Sequence, residues 1–101
     1  MRRGTTPTLT FTTPYAADLV ESGYISFEQR GTDVLDISLT DPAVTIADNS
    51  ISVELTQEQT LAFTTSDTLK IQIRAILTSG KAVASNIVTD SVCRILKDGE
   101  I

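Results

Sequence analysis

The stretch from Leu69 to Leu77 sets the terms for the whole chain. Leu69, Ile71, Ile73, Ala75 and Leu77 fall at every second position, with Lys70, Gln72 and Arg74 between them. A period of two sends successive side chains to opposite faces of a strand, and no helical reading fits it. This is a half-buried strand with one apolar and one long polar face. A third of the chain is Thr, Ile or Val, residues that are stiff at χ1 and suit a pleated surface. The same alternation recurs along the sequence. Leu9 and Phe11 share a face in Thr8–Thr12, and Pro7 and Pro14 bracket that run as end or edge markers. Ile25 and Phe27 do the same in a run that opens at Tyr24, just after Gly23. Leu35, Ile37 and Leu39 follow across the turn signal Arg30-Gly31-Thr32-Asp33, which predicts a hairpin. Asp41-Pro42 then breaks the strand.

A brief strand at Val44–Ile46, a turn at Asp48-Asn49-Ser50 and a clean alternator at Ile51–Leu55 come next. Thr56-Gln57-Glu58-Gln59 fits a capping box, which predicts one or two helical turns through Phe63, with Leu61 and Phe63 directed to the core. Thr78-Ser79-Gly80-Lys81 reads as a hairpin turn. The return strand runs from Ala82 to Leu96, with a bulge or bend expected at Ser85-Asn86, where the alternation drifts. Ala16–Val20 is a single helical turn or an irregular crossing.

About seven strands with turns every eight to twelve residues, in 101 residues, argue for one all-β domain spanning 1–101. The expected fold is an immunoglobulin-like β-sandwich with one short helical crossover near residues 57–63 that passes from one sheet to the other. A partly open barrel is the structural alternative. The chain lacks Trp and a cysteine pair, so it is not an antibody-type domain. Residues 1–6 stand out as a candidate flexible arm.

Composition narrows function by exclusion. The net charge is −5, and more negative still without Arg2 and Arg3, so the body repels phosphate backbones and no nucleic-acid partner is expected. No apolar run approaches the length needed to cross a bilayer, and Met1-Arg2-Arg3 is not followed by the apolar stretch of a signal peptide. With no histidine, Ser-His-Asp and Cys-His catalysis and imidazole metal sites are ruled out. The lone Cys93 cannot close an internal disulfide. Strand parity places it inward with Ile95, opposite Val92 and Arg94, which reads as an inert core thiol.

The acids Asp33, Asp41, Asp48, Asp67 and Asp98 sit at turns without the close spacing of a calcium loop. Asp33 and Asp36, three apart on a strand, are expected on opposite faces. No catalytic residue, cofactor or metal site is predicted, and the chain is read as not an enzyme. The stripe Lys70, Gln72, Arg74 is the candidate protein-interaction face; its plainer reading is the wet side of a half-exposed sheet.

Several stretches also carry a resemblance. They are Met1-Arg2-Arg3-Gly4-Thr5-Thr6-Pro7-Thr8-x-x-Phe11, the run from Ile51 through Gln59-Thr60-Leu61-x-Phe63, and Ile71-Gln72-Ile73-Arg74. Gly80-Lys81-Ala82-x-Ala84-Ser85 and Arg94-Ile95-Leu96-Lys97-Asp98-Gly99 complete the set. Together they resemble a group of short proteins carried by phages and prophages of Gram-positive gut bacteria. The strand pattern and the Leu55-Thr56-Gln57 crossing are similar to the immunoglobulin-like N-terminal domain of phage baseplate upper proteins. Those proteins continue into helical or receptor-binding parts, whereas this sequence runs to Ile101. The resemblance brings no catalytic residues.

It implies a tail or baseplate accessory module, located in the virion or in the host cytoplasm during assembly, without a signal peptide. Its partners would be other phage structural proteins and possibly further copies of itself, met through sheet edges or a polar sheet face. The alternative is a carbohydrate- or receptor-binding adhesion module, for which Tyr15 and Tyr24 are the aromatics not committed to the core.

Overall fold

The computed structural model describes residues 1–16 and 19–101. The reading of Ala16–Val20 as a helical turn or crossing falls in part on residues 17–18, outside the described residues, and Val20 already belongs to a strand. The elements are β1 (Thr8–Thr12), β2 (Val20–Gln29), β3 (Thr32–Ser38), β4 (Val44–Ala47), β5 (Ser50–Glu54), α1 (Gln57–Leu61), β6 (Leu69–Leu77), β7 (Ala82–Ala84) and β8 (Val88–Asp90). One sheet has the order β1-β5-β4. The other has β3-β2-β6-β7, with β8 also on β6. Every strand pair is antiparallel.

That order is the immunoglobulin-type arrangement. The first hairpin strand, β2, pairs with β6 in one sheet, while β1 and β4 flank β5 in the other. The extra hairpin strand β3 widens the second sheet, as in variable-type domains. The chain is therefore an immunoglobulin-like β-sandwich, closed around apolar residues rather than around a disulfide.

The core is what the alternation requires. Leu69, Ile71, Ile73 and Ala75 from β6 meet Ile25 and Phe27 from β2 and Ile37 from β3. Ile51 and Val53 face them from β5, all buried. Crossing from β5 to β6, α1 follows the capping box: Thr56 Oγ1 accepts from Gln59 N at 3.1 Å, and Gln59 Oε1 accepts from Thr56 N at 2.9 Å. Immediately beyond α1, Phe63 is fully buried with its ring centroid 5.6 Å from that of Phe27. Leu61 is only half-buried. Thr60, which carries no apolar signal, is fully buried because its hydroxyl donates to Thr5 O and Gln57 O.

Gln29 is buried for a similar reason. Its amide donates to the carbonyls of Thr64 and Asp67 and accepts from Thr64 N, so it staples the 64–68 connection to the end of β2.

Three local features differ from the sequence expectation. First, β2 begins at Val20 and runs through Gly23 instead of opening after it. The register between β2 and β6 shifts between Val20 and Ser22, and a Cβ on Gly23 would stand 2.1 Å from the Arg74 carbonyl oxygen. Only glycine lets the two backbones approach this closely.

Second, the return strand breaks at 85–87, as the drift in its pattern predicted, and the seventh strand becomes β7 and β8. Ser85 occupies the gap: its Oγ accepts from Ile73 N at 3.0 Å in place of a ladder carbonyl, and then donates to Asn86 O. Third, Cys93 is exposed, and Val92 is the buried residue of its segment. Beyond β8 the chain is no longer a regular strand, so parity counted from β6 does not reach it.

Residues 1–6, the candidate arm, run against the rest of the domain. Arg2 bridges Cys93 in parallel, with Arg3 N donating to Cys93 O and Cys93 N to Met1 O. The Arg3 side chain donates to Leu61 O at 2.6 Å and Phe63 O at 3.2 Å, at the C-terminal end of α1, and pairs with Asp98. No helix among the described residues is long and apolar enough to cross a membrane.

Two substitutions check this account. Thr56→Ala removes the cap and should cost ~1 kcal/mol in urea unfolding. Gly23→Ala forces β2 and β6 apart and should cost about 1–3 kcal/mol by the same measurement.

Candidate functional site

The sheets present very different outer faces. On the three-stranded sheet the outward residues are mostly hydroxyls, with Thr10 Oγ1 and Ser52 Oγ 3.0 Å apart, and Glu54 is an exposed charge there. The five-stranded sheet carries charge in rows. Register places Ser38, Tyr24, Arg74 and Ala84 across one row, Asp36, Ser26 and Gln72 across the next, and Asp33, Glu28 and Lys70 across the third. The predicted stripe Lys70, Gln72, Arg74 lies on this face.

Its members are not equivalent. Gln72 is half-buried and donates to Ser85 O at 3.0 Å, so it serves the bend between β7 and β8. Lys70 and Arg74 are exposed, and neither has an ion-pair partner among the described residues.

Beside Arg74 stands Tyr24, 56% exposed, with Ile76 one diagonal step away and also exposed. A shallow groove of about 490 Å³ runs past them over Gly23, between Ser38 on β3 and Ala82 on β7. The short Ser and Ala side chains make its floor low. Tyr15, the other aromatic singled out from sequence, is half-buried, and burial raises its phenol pKa.

The acidic side of this face overturns a sequence expectation. Asp33 and Asp36 are side by side. The β2–β3 register shifts between Phe27 and Glu28, so Leu35 faces Phe27 and Asp33 faces Glu28, leaving Val34 as the extra residue. That bulge restores Asp33 to the face of Asp36. A hydrogen bond with Asp36 holds the Asp33 carboxyl above its usual pKa, helped by lost hydration and by the charges of Asp36 and Glu28. Asp36 is held below its usual value by the same hydrogen bond and by Ser26 Oγ, which donates at 2.6 Å. Nothing in the residue spacing announces a bulge, which is why a two-residue period put these carboxylates on opposite faces.

The sheet edges are blunted. Prolines flank β1, β4 is four residues long and follows Pro42, and β3 carries the bulge and the two aspartates. The last edge is split into two strands of three residues. These are the devices by which folded proteins keep a sheet from pairing edge to edge. The broad face of β3-β2-β6-β7 is left as the open surface. No three His, Cys, Asp or Glu side chains gather as a metal site among the described residues.

No protein-family model matches the chain, and no curated protein sequence matches it. Among solved structures, the extracellular domain of mouse leukocyte-associated immunoglobulin-like receptor 1, in a strand-swapped dimer, is similar at 16% identity. The match covers 92% of this chain and 84% of that one, with a TM-score of 0.49. The class, an immunoglobulin-like sandwich with one charged open face, rests on the strand order described above.

The aspartate pair gives a direct check. Asp36→Asn should bring the Asp33 titration point down toward that of an ordinary aspartate, read by carboxyl carbon NMR against pH, because the substitution removes the anionic hydrogen-bond acceptor of protonated Asp33 and with it the neighbouring charge.

Proposed function

We propose that this protein is a non-enzymatic structural or assembly module that acts through protein–protein contacts on the outer face of β3-β2-β6-β7. The observation that carries this reading is the contrast between blunted edges and an open face with Tyr24, Ile76 and Arg74 at its centre. Tyr and Arg are the residue types that anchor interfaces, and a ring of polar groups around an apolar centre is the usual anatomy of one. Here the polar border is Asp36, Asp33, Glu28 and Lys70, in the rows along one side of that centre.

The biological setting we propose is a phage tail or baseplate, as an accessory component in the virion or in the host cytoplasm during assembly. The motifs at Met1–Phe11, Ile51–Phe63 and Arg94–Gly99 support it through their resemblance to phage and prophage proteins. The sandwich without a catalytic constellation is compatible with it.

A second reading is favoured by one observation. Tyr24 is an exposed aromatic lining a groove, and aromatic side chains receive sugar rings, so a carbohydrate- or receptor-binding adhesion module is the alternative.

Mass spectrometry of purified induced particles tests the structural reading. The chain is expected in particles at a small symmetric multiple relative to tail proteins. Capture of those proteins from induced lysate should fall at least about tenfold with Tyr24→Ala. Absence from particles together with capture unaffected by Tyr24→Ala would sink the structural reading. Glycan-array binding lost with the same substitution would establish the alternative.

A further inference from the structure

We infer that the occupant of this face is a second copy of the chain, seated face to face about a two-fold axis that runs along β2. The inference rests on the reading of the face as a docking surface and adds the partner and the register.

The argument is one of charge placement. Along β3, on one side of β2, lie Asp33 and Asp36; along β6, on the other side, lie Lys70 and Arg74. The basic pair has no ion partner among the described residues, and the acidic pair crowds two carboxylates together so that one of them holds its proton more tightly than usual. Both conditions are relieved by an opposite charge brought from outside.

A two-fold axis in the plane of the contact and parallel to β2 exchanges the two sides. It lays the acidic β3 of one copy over the basic β6 of the other and the reverse, so each complementary pair occurs twice. An axis perpendicular to the strands would lay β3 on β3 and set like charges together, so the charge pattern selects one of the two geometries.

The rows then specify partners. Rotation about an axis along the strands keeps each residue at its own height. Lys70 lies over the row that holds Asp33 of the second copy. Arg74 lies over the Ser38 row, one row from Asp36 of the second copy, a step its long side chain spans. Tyr24, on the axis strand, meets Tyr24 of the second copy in an aromatic contact at the centre. Glu28, on the same strand and face, meets Glu28 of the second copy, and the Lys70 that stands beside it in each copy offsets that one like-charge contact. Face-to-face sheets stand about 10 Å apart, which leaves room for these side chains between low floors of Ser and Ala.

Overall charge works against this association, and that makes the test sharp. Asp36→Lys reduces the net charge from −5 to −3. General repulsion between two acidic chains would fall, and association would strengthen. The proposed contact predicts the reverse: self-association of the full chain, measured by sedimentation equilibrium, weakens at least about tenfold. Glu54→Lys makes the same change in net charge on the outer face of the other sheet and should not weaken association at all. Arg74→Glu should weaken it as Asp36→Lys does, and the double variant should return to within about threefold of the parent.

Raising salt should also weaken the parent pair. A parent chain that stays monomeric at the highest soluble concentration would overturn the inference. So would Asp36→Lys associating as well as Glu54→Lys. If the chain is monomeric but Tyr24→Ala still abolishes capture of tail proteins, the face is a docking surface for a different partner. In that outcome this inference fails and the functional reading stands. If Tyr24→Ala changes neither association nor capture, both fall.

Discussion

The pairing of β2 with β6 is the contact on which the rest of the molecule hangs. It joins the two longest strands, and their inward residues supply six of the thirteen buried apolar side chains among the described residues, more than any other strand pair. It sits at the middle of the five-stranded sheet, so β3 on one side and β7 and β8 on the other are held by it. Because the strands are pleated, burying Leu69, Ile71, Ile73 and Ala75 dictates that Lys70, Gln72, Arg74 and Ile76 face outward. The composition of the outer face is therefore the reverse side of the core pattern.

Two exceptions to regularity shape that face. Gly23, next to Tyr24, permits β2 to lie close enough to β6 for the ladder to close through a register shift. On the other side of β2, the extra residue Val34 turns Asp33 to the same side as Asp36. The first brings two backbones into close approach and the second concentrates charge. Both lie on the same surface, while the outer face of the three-stranded sheet has neither. The edges are meanwhile short, kinked or flanked by proline, which leaves lateral pairing poorly served.

Much of this was legible in the sequence. The alternation of Leu69–Leu77 and Ile51–Leu55 named the central strands and their inward residues. The Thr56/Gln59 box named the helix start, and the drift at Ser85-Asn86 named the break. These signals are local, and local chemistry decides them. The misreadings share a different origin. Strand parity is a count, and a single inserted residue or a departure from the ladder resets it. Val34 reset it for Asp33, and the irregular chain after Asp90 reset it for Cys93. Gly23 looked like punctuation because its role is a close approach to a backbone fifty residues away. Arg3 gave no signal as a tie between α1 and the Asp98 segment, since its partners are carbonyls and a carboxylate brought together by tertiary structure. The stripe Lys70, Gln72, Arg74 was placed correctly on a face, but its three members turn out to have different duties.

The split of the last strand has a consequence for how the sandwich moves. On its β2 side, β6 is held by a ladder running from Val20 to Glu28; on its other side it is held by two patches of three pairs with Ser85 bridging the gap. Opening free energy follows such differences in local bonding. The molecule thus has a grain: its amide protons shielded by β2 exchange with solvent only when the sandwich opens as a whole, while the β7–β8 margin breathes in smaller, separate events. A surface built on β3, β2 and β6 rests on the slow side of that grain, with a yielding border along one flank.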